Sequence, residues 1–175
     1  MPDRLPVRVD PYRLAEQSLT VSGFLQTDKM DRYQSSVIRA DEQIHAQLDF
    51  SKQGAEHYLL EGHIRTTATL VCQRCLEDYQ HQIENTFELS IVASDFQAGQ
   101  EMESVEPLVI AEGEMLELTE LLEDEIILAL PVVSRHQNDA DCQLPEVQQS
   151  AVEATVEVKE TEPSPFEVLK DLKRD

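Results

Sequence analysis

Positive charge is scarce in this chain. Lysine and arginine number 14 among 175 residues, against 35 aspartates and glutamates, for a formal net charge of −21. Sequence-independent binding to nucleic acid draws its strength from Lys and Arg that neutralise phosphates, so a generically basic nucleic-acid binder is excluded. The shortage is uneven: residues 1–94 carry 9 basic and 14 acidic side chains, residues 95–162 carry 2 and 18, and residues 163–175 carry 3 and 3. A field concentrated in one segment either keeps the chain soluble or suits a basic partner, such as a ribosomal protein or an RNA-bound assembly protein. Direct RNA contact would have to come from Arg4, Arg8, Arg13, Arg39, Arg65 and Arg74, on a face held apart from the acid.

Long apolar runs are also missing, and no basic stretch with an apolar region follows Met1. The expectation is a cytoplasmic protein with no membrane partner. Cysteines are few and odd in number, Cys72, Cys75 and Cys142, which argues against a disulfide framework and for a reducing compartment. No acid, base and ligand set is spaced for catalysis. His45, His57, His63 and His81 read as surface or satisfied polar residues, and Glu123, Asp124 and Glu125 cannot share one helical face. Those three acids read as a solvated first turn, and the chain is not expected to be an enzyme.

What is present centres on Cys72-Gln73-Arg74-Cys75, between two runs of alternating apolar and polar residues, Tyr58–Leu70 and Tyr79–Ala93. Alternation with period two predicts two long strands and places both cysteines at an exposed hairpin connection. No helix pattern follows, so the dipole that activates a thioredoxin-type thiol is lacking. Inert reduced thiols, a metal chelated from one side, or redox chemistry remain open for this pair. His136 and Cys142 could complete a four-ligand zinc site, although the five residues between them exceed the usual spacing.

Elsewhere the pattern predicts a short strand around Leu5, Val7 and Val9. A helix capped by Asp10 with Pro11 in its first turn comes next, then a strand through Leu19, Val21, Gly23 and Leu25. Thr27–Tyr33 reads as a helical turn or a loop. Alternation from Ile38 to Phe50, broken only at Glu42, predicts one more long strand. Gly54 suits a turn with positive φ, and Gly62 a bend or bulge. The main helix is expected over residues 118–130, ended by Pro131, with Leu121, Leu122, Ile126 and Ala129 on the sheet. The fold class that follows is α+β and mostly antiparallel, a curved β-meander or open barrel packed by one main helix. The domain plan is one folded domain over 1–135, an acidic flexible linker over 136–162 and a short amphipathic helix over 163–175. Phe166, Leu169 and Leu172 share one side of that last helix and read as a docking element for a partner.

Four separated motifs resemble one known family: the opening Pro6-Val7-Arg8-Val9-Asp10-Pro11, the Cys72–Cys75 turn, the run Leu122–Val133, and the ending Pro165-Phe166-Glu167-Val168-Leu169 with Leu172-Lys173-Arg174. Together they look like the YceD family of large-subunit ribosomal RNA accumulation proteins. The resemblance implies a role in the synthesis, processing or stability of 23S rRNA, contacted directly or indirectly, and supplies no reaction. Many such relatives carry a second Cys-x-x-Cys after the main helix, which implies a four-cysteine zinc site. This chain departs from that pattern, with His136 and Cys142 in its place.

Overall fold

The protein is described by a computed structural model over residues 4–54, 57–94 and 105–143. Met1–Cys142 forms one compact unit, to which everything below refers. The expected linker beyond residue 143 and the expected helix with Phe166, Leu169 and Leu172 lie outside the described residues.

In chain order the elements are β1 (Arg8–Val9), α1 (Pro11–Glu16), β2 (Thr20–Gln26), a 3-10 turn (Thr27–Lys29), α2 (Asp31–Ser36) and β3 (Arg39–Ala40). There follow β4 (Gln43–Gln53), β5 (His57–Val71), β6 (Asp78–Val92), β7 (Glu106–Val109), β8 (Leu116–Glu117), α3 (Leu118–Ala129) and a 3-10 turn at Asp139–Asp141. The architecture is α+β. One sheet has the order β2-β4-β5-β6-β7, with β3 also on β5, and β1 pairs with β8 in a two-stranded sheet. Among the named strands the pairing is antiparallel except for β6 with β7, an isolated parallel bridge joins Arg4 to Phe24, and the sheet stays open.

The alternating runs become the three long strands β4, β5 and β6. Ile44, Leu48, Phe50, Leu60, Ile64, Leu70, Ile83, Leu89 and Ile91 all point into one core, so period two buries one face of each strand. Leu118, Leu121, Leu122 and Ile126 of α3 close that core, and α1 reaches it with Tyr12 set edge-on to Tyr58 at 5.0 Å between ring centroids. Asp10 caps α1 as expected, its carboxylate accepting from the Arg13 N–H at 3.0 Å. Gly54 sits at φ +70° in its turn. No described helix is long and apolar enough to cross a membrane.

Several expectations are corrected. The strand expected from Ile38 to Phe50 is broken: β3 pairs Ala40 with Ala68, while β4 pairs His45 with Arg65. Four residues of one strand thus face two of the other. Because two residues are extra, parity survives across the break, and this is why alternation alone did not reveal it. The carbonyls exposed there are taken up by hydroxyls, Thr27 donating to Asp41 O at 2.7 Å and Thr66 to Gln43 O at 3.1 Å. Gly62 makes no bulge. It pairs directly with Phe87, and a Cβ at Gly62 would lie 2.0 Å from that ring, so the glycine makes room for the aromatic side chain of the next strand.

Of the three acids expected in a solvated turn, Asp124 is exposed but Glu123 and Glu125 are not. Glu123 is 6% exposed and Glu125 8%. Glu123 accepts the N–H groups of Arg32 at 2.8 Å and Tyr33 at 3.1 Å, and its other oxygen takes the Arg32 guanidinium at 2.8 Å. The carboxylate therefore caps α2 from another helix, where a capping side chain of α2 itself is absent. Burial pushes the Glu123 carboxyl up, but the Tyr33 and Arg32 donors outweigh it and hold it below the usual carboxylate range. Burial pushes Glu125 the other way, upward, with Glu106 and Asp124 adding to it.

Candidate metal centre

β5 and β6 pair right up to the turn, the last residue of β5, Val71, with the first of β6, Asp78, and the six residues between them form the connection. Its ends are tied by the Cys72 N–H to Glu77 O at 2.9 Å, and the Leu76 N–H reaches back to Cys72 O at 2.9 Å with Leu76 at φ +65°. This tight path turns Cys72 and Cys75 to the same side, inward. They are 0% and 2% exposed, so the expectation of an exposed pair is corrected. The cause lies after α3. Pro131 stops the helix, the chain crosses to the turn, and Ser134 O accepts the Gln73 N–H at 2.8 Å. His136 and Cys142 then arrive over the two cysteines, with a 3-10 turn at Asp139–Asp141 taking up the five residues between them.

All four ligand atoms of Cys72, Cys75, His136 and Cys142 lie within 4.8 Å of one another. Cys72 Sγ is 3.7 Å from Cys142 Sγ, and Cys75 Sγ is 3.5 Å from His136 Nδ1. Zinc bonds of about 2.3 Å to sulfur and about 2.0 Å to nitrogen, spread tetrahedrally, put two sulfurs about 3.8 Å apart and a sulfur about 3.5 Å from a nitrogen. These two edges match that frame. Soft thiolates with one imidazole form a donor set that suits zinc, and the three sulfurs are buried with the imidazole half-buried beside them. Among the described residues this is the one group of three or more Cys, His, Asp or Glu placed to share an ion.

Electrostatics add a second fit. Burial pushes the Cys72 thiol up, yet the backbone N–H groups of Cys75, Arg74 and His136 and the His136 side chain bring it down to about 5. A buried sulfur surrounded by amide donors is prepared to be a thiolate, the form that ligates a metal. Cys142 moves oppositely, pushed up to about 11 by burial and by Cys72 and Cys75 beside it. Three sulfurs at such spacing cannot all ionise without a cation between them. His136 is braced by Tyr79, whose ring centroid is 5.0 Å away. Tyr79 did not emerge as a site residue from the sequence, where it read as a core position. Its place directly after the turn, on the buried parity of β6, was the available signal.

The family described as large ribosomal RNA subunit accumulation protein YceD matches residues 60–173. A protein of Haemophilus influenzae, the large ribosomal RNA subunit accumulation protein YceD, is 31% identical over 171 residues, covering 98% of this chain and 97% of the relative. This chain belongs to the YceD family. The family match opens at Leu60, within β5, and contains the rest of that strand, the cysteine turn, β6, α3 and the segment that bears His136 and Cys142. The elements β1 to β4 precede it and fall within the span shared with the Haemophilus relative. No solved structure gives a significant match.

Proposed function

We propose that this YceD-family chain is a cytoplasmic ribosome-biogenesis factor that supports the synthesis, processing or stability of 23S rRNA. It acts without catalysis, as an adaptor for a basic ribosomal or assembly protein. The observation that carries the reading is the near end-to-end match to a protein named for large ribosomal RNA subunit accumulation. The adaptor mechanism draws on charge: residues 95–162 hold 18 acidic side chains against 2 basic ones, a field that attracts a basic protein and repels RNA.

In this reading Cys72, Cys75, His136 and Cys142 hold a zinc ion. Bound there, zinc supplies a structural cross-link. The chain does the rest: the Cys75, Arg74 and His136 amides keep Cys72 ready as a thiolate, Tyr79 braces the imidazole, and the Gln73 N–H to Ser134 O bond aligns the two halves.

Two measurements test the proposal. Cells lacking the chain should show a lowered ratio of 23S to 16S rRNA, restored by the intact chain; an unchanged ratio overturns the biogenesis role. Affinity capture with and without nuclease should recover a basic protein in both arms, and a partner lost on nuclease treatment would show that RNA made the connection.

A further inference from the structure

On the face opposite the core, the sheet places like charges side by side. Asp49 pairs with Glu61 and Glu61 with Glu88, so three carboxylates stand in one row across β4, β5 and β6. Like charges directly opposite one another weaken a strand pair. Among the described residues no cation forms an ion pair with any of the three. Thr20 and Gln47 donate to Asp49, Gln47 at 2.9 Å, and hold its carboxylate in the row. A second anionic point lies further along β5. The break between β3 and β4 opens a cleft of about 360 Å³ there, lined by Asp41, Glu42, Thr67, Thr69 and Gln80 together with Arg39. Two carboxylates thus meet one guanidinium. Between the two points Phe24 pairs with His45, His45 with Arg65 and Arg65 with Glu84, and Arg65 is neutralised by Glu84 at 2.7 Å. Glu61, Arg65, Glu84 and Glu88 are exposed, and so are Asp41 and Glu42.

We infer that this face docks an extended, arginine-bearing segment of a basic protein, with one cationic group over the Asp49, Glu61 and Glu88 row and a second in the Asp41 and Glu42 cleft. The inference rests on the adaptor reading and gives it a binding surface on the folded sheet, where that reading invoked the acidic stretch 95–162. Charge complementarity selects the occupant. Neighbouring strands hold the row's carboxylates about 5 Å apart, so one guanidinium can bridge two of them with paired hydrogen bonds that a lysine ammonium cannot reproduce. Binding relieves the repulsion that the free sheet carries, which gives a function to an arrangement unfavourable for folding. In the cleft Asp41 and Glu42 supply the charge, and the Thr67, Thr69 and Gln80 oxygens accept the remaining donors. Spacing selects the segment. Thr67 and Thr69 stand six and eight residues from Glu61 along β5, about 20 to 26 Å of strand. A partner chain lying along β5 at the same rise needs its two cationic groups six to eight positions apart, with neutral residues over the Arg65–Glu84 pair.

The test uses the full-length chain and a fluorescein-labelled peptide with two Arg-Arg pairs separated by five neutral residues, read by anisotropy at about 0.15 M salt. Saturable binding is expected. A peptide of the same charge with one neutral residue between the pairs should bind at least fivefold more weakly, a difference that diffuse attraction to an acidic chain does not produce. Lysine in place of arginine should cost several-fold. Glu61→Gln with Glu88→Gln should lower affinity about tenfold and Glu42→Gln about threefold, and each should abolish the preference for the longer spacer. The Glu61→Gln, Glu88→Gln chain should also melt about 1 to 3 °C higher than the parent, because a repulsion is removed, so weaker binding cannot come from a damaged fold. Equal binding of the two spacings, or affinity unchanged by these substitutions, overturns the inference. Binding lost instead when Glu146, Glu153, Glu157, Glu160 and Glu162 are changed to Gln would place the partner on the acidic stretch, so the adaptor reading would stand and this inference fall. A dimer in sedimentation that Glu61→Lys dissolves would show a second copy on the face, which also overturns it. The adaptor reading is judged by nuclease-resistant capture from cells, so either can fail alone.

Discussion

The two ends of the β5–β6 hairpin are held by different physics. At the end that begins β5, Tyr58, Leu60, Ile64, Leu89 and Ile91 pack in a continuous apolar core closed by Leu118, Leu122 and Ile126. At the turn, the chain gathers three buried thiols and a half-buried imidazole. The first end is stabilised by area removed from water, which needs no partner and no particular protonation state. The second gathers polar ligands that repel one another once ionised, so under the proposed zinc site its closure depends on a cation. One hairpin therefore combines a self-sufficient end with a conditional one.

The largest break in that comparison comes from Cys72→Ser. Loss of bound zinc from about one equivalent to none should accompany a destabilisation of about 4 kcal/mol, with a melting temperature lowered by roughly 8 to 16 °C. A chelator should reproduce the drop in the parent chain and have no further effect on the variant. A metal-free parent with the same melting temperature would remove the conditional end altogether.

Leu122→Ala sharpens the contrast from the apolar side. Leu122 is 0% exposed, and its truncation should cost about 3 kcal/mol in urea unfolding, with zinc content unchanged. If the two ends are independent, the double variant with Cys72→Ser should show the sum within about 0.5 kcal/mol. A clear departure would mean that the clip tightens the core.

Glu123 and Glu125 repeat the contrast at smaller scale within α3. Glu123→Ala leaves the Arg32 and Tyr33 N–H groups without their acceptor and should cost about 2 kcal/mol at neutral pH. Its folded pKa is depressed, so the stability it contributes is present above the ordinary carboxylate value of about 4.3 and is lost as pH falls through the lower folded value. Parent and variant should converge in acid. Glu125 has the opposite sign, because a raised folded pKa favours the native state at low pH and that advantage is lost as pH rises through it. Glu125→Gln should then be neutral or stabilising by less than about 1 kcal/mol at pH 7, and a loss like that of Glu123 would show that Asn85, 3.3 Å from its carboxylate, needs the charge.

Much of this was legible in the residues. Alternation located β5 and β6, the Asp10-Pro11 pair located the start of α1, and Pro131 located the end of α3, because each of these signals acts within a few residues of the structure it specifies. The helix α2 was not legible: six residues with no capping side chain of their own carry no local signal, and the cap arrives from Glu123, 90 positions from Tyr33. The same distance hid the burial of Glu123. Gly62 was noticed for the wrong reason, since its neighbour Phe87 is set by strand register and not by sequence proximity.

By itself, then, the sequence determined the periodic elements, the parity of the buried face, the scarcity of cations and the identity of the four candidate ligands. These depend on spacing and composition alone. Only the tertiary structure decided that Cys72 and Cys75 are buried, and that His136 and Cys142 close over them across 61 and 70 positions. It also decided that Phe24, His45 and Arg65 share a row. Such contacts join residues far apart in the chain, and they exist only once the hydrophobic collapse of the sheet on α3 has chosen which distant surfaces meet.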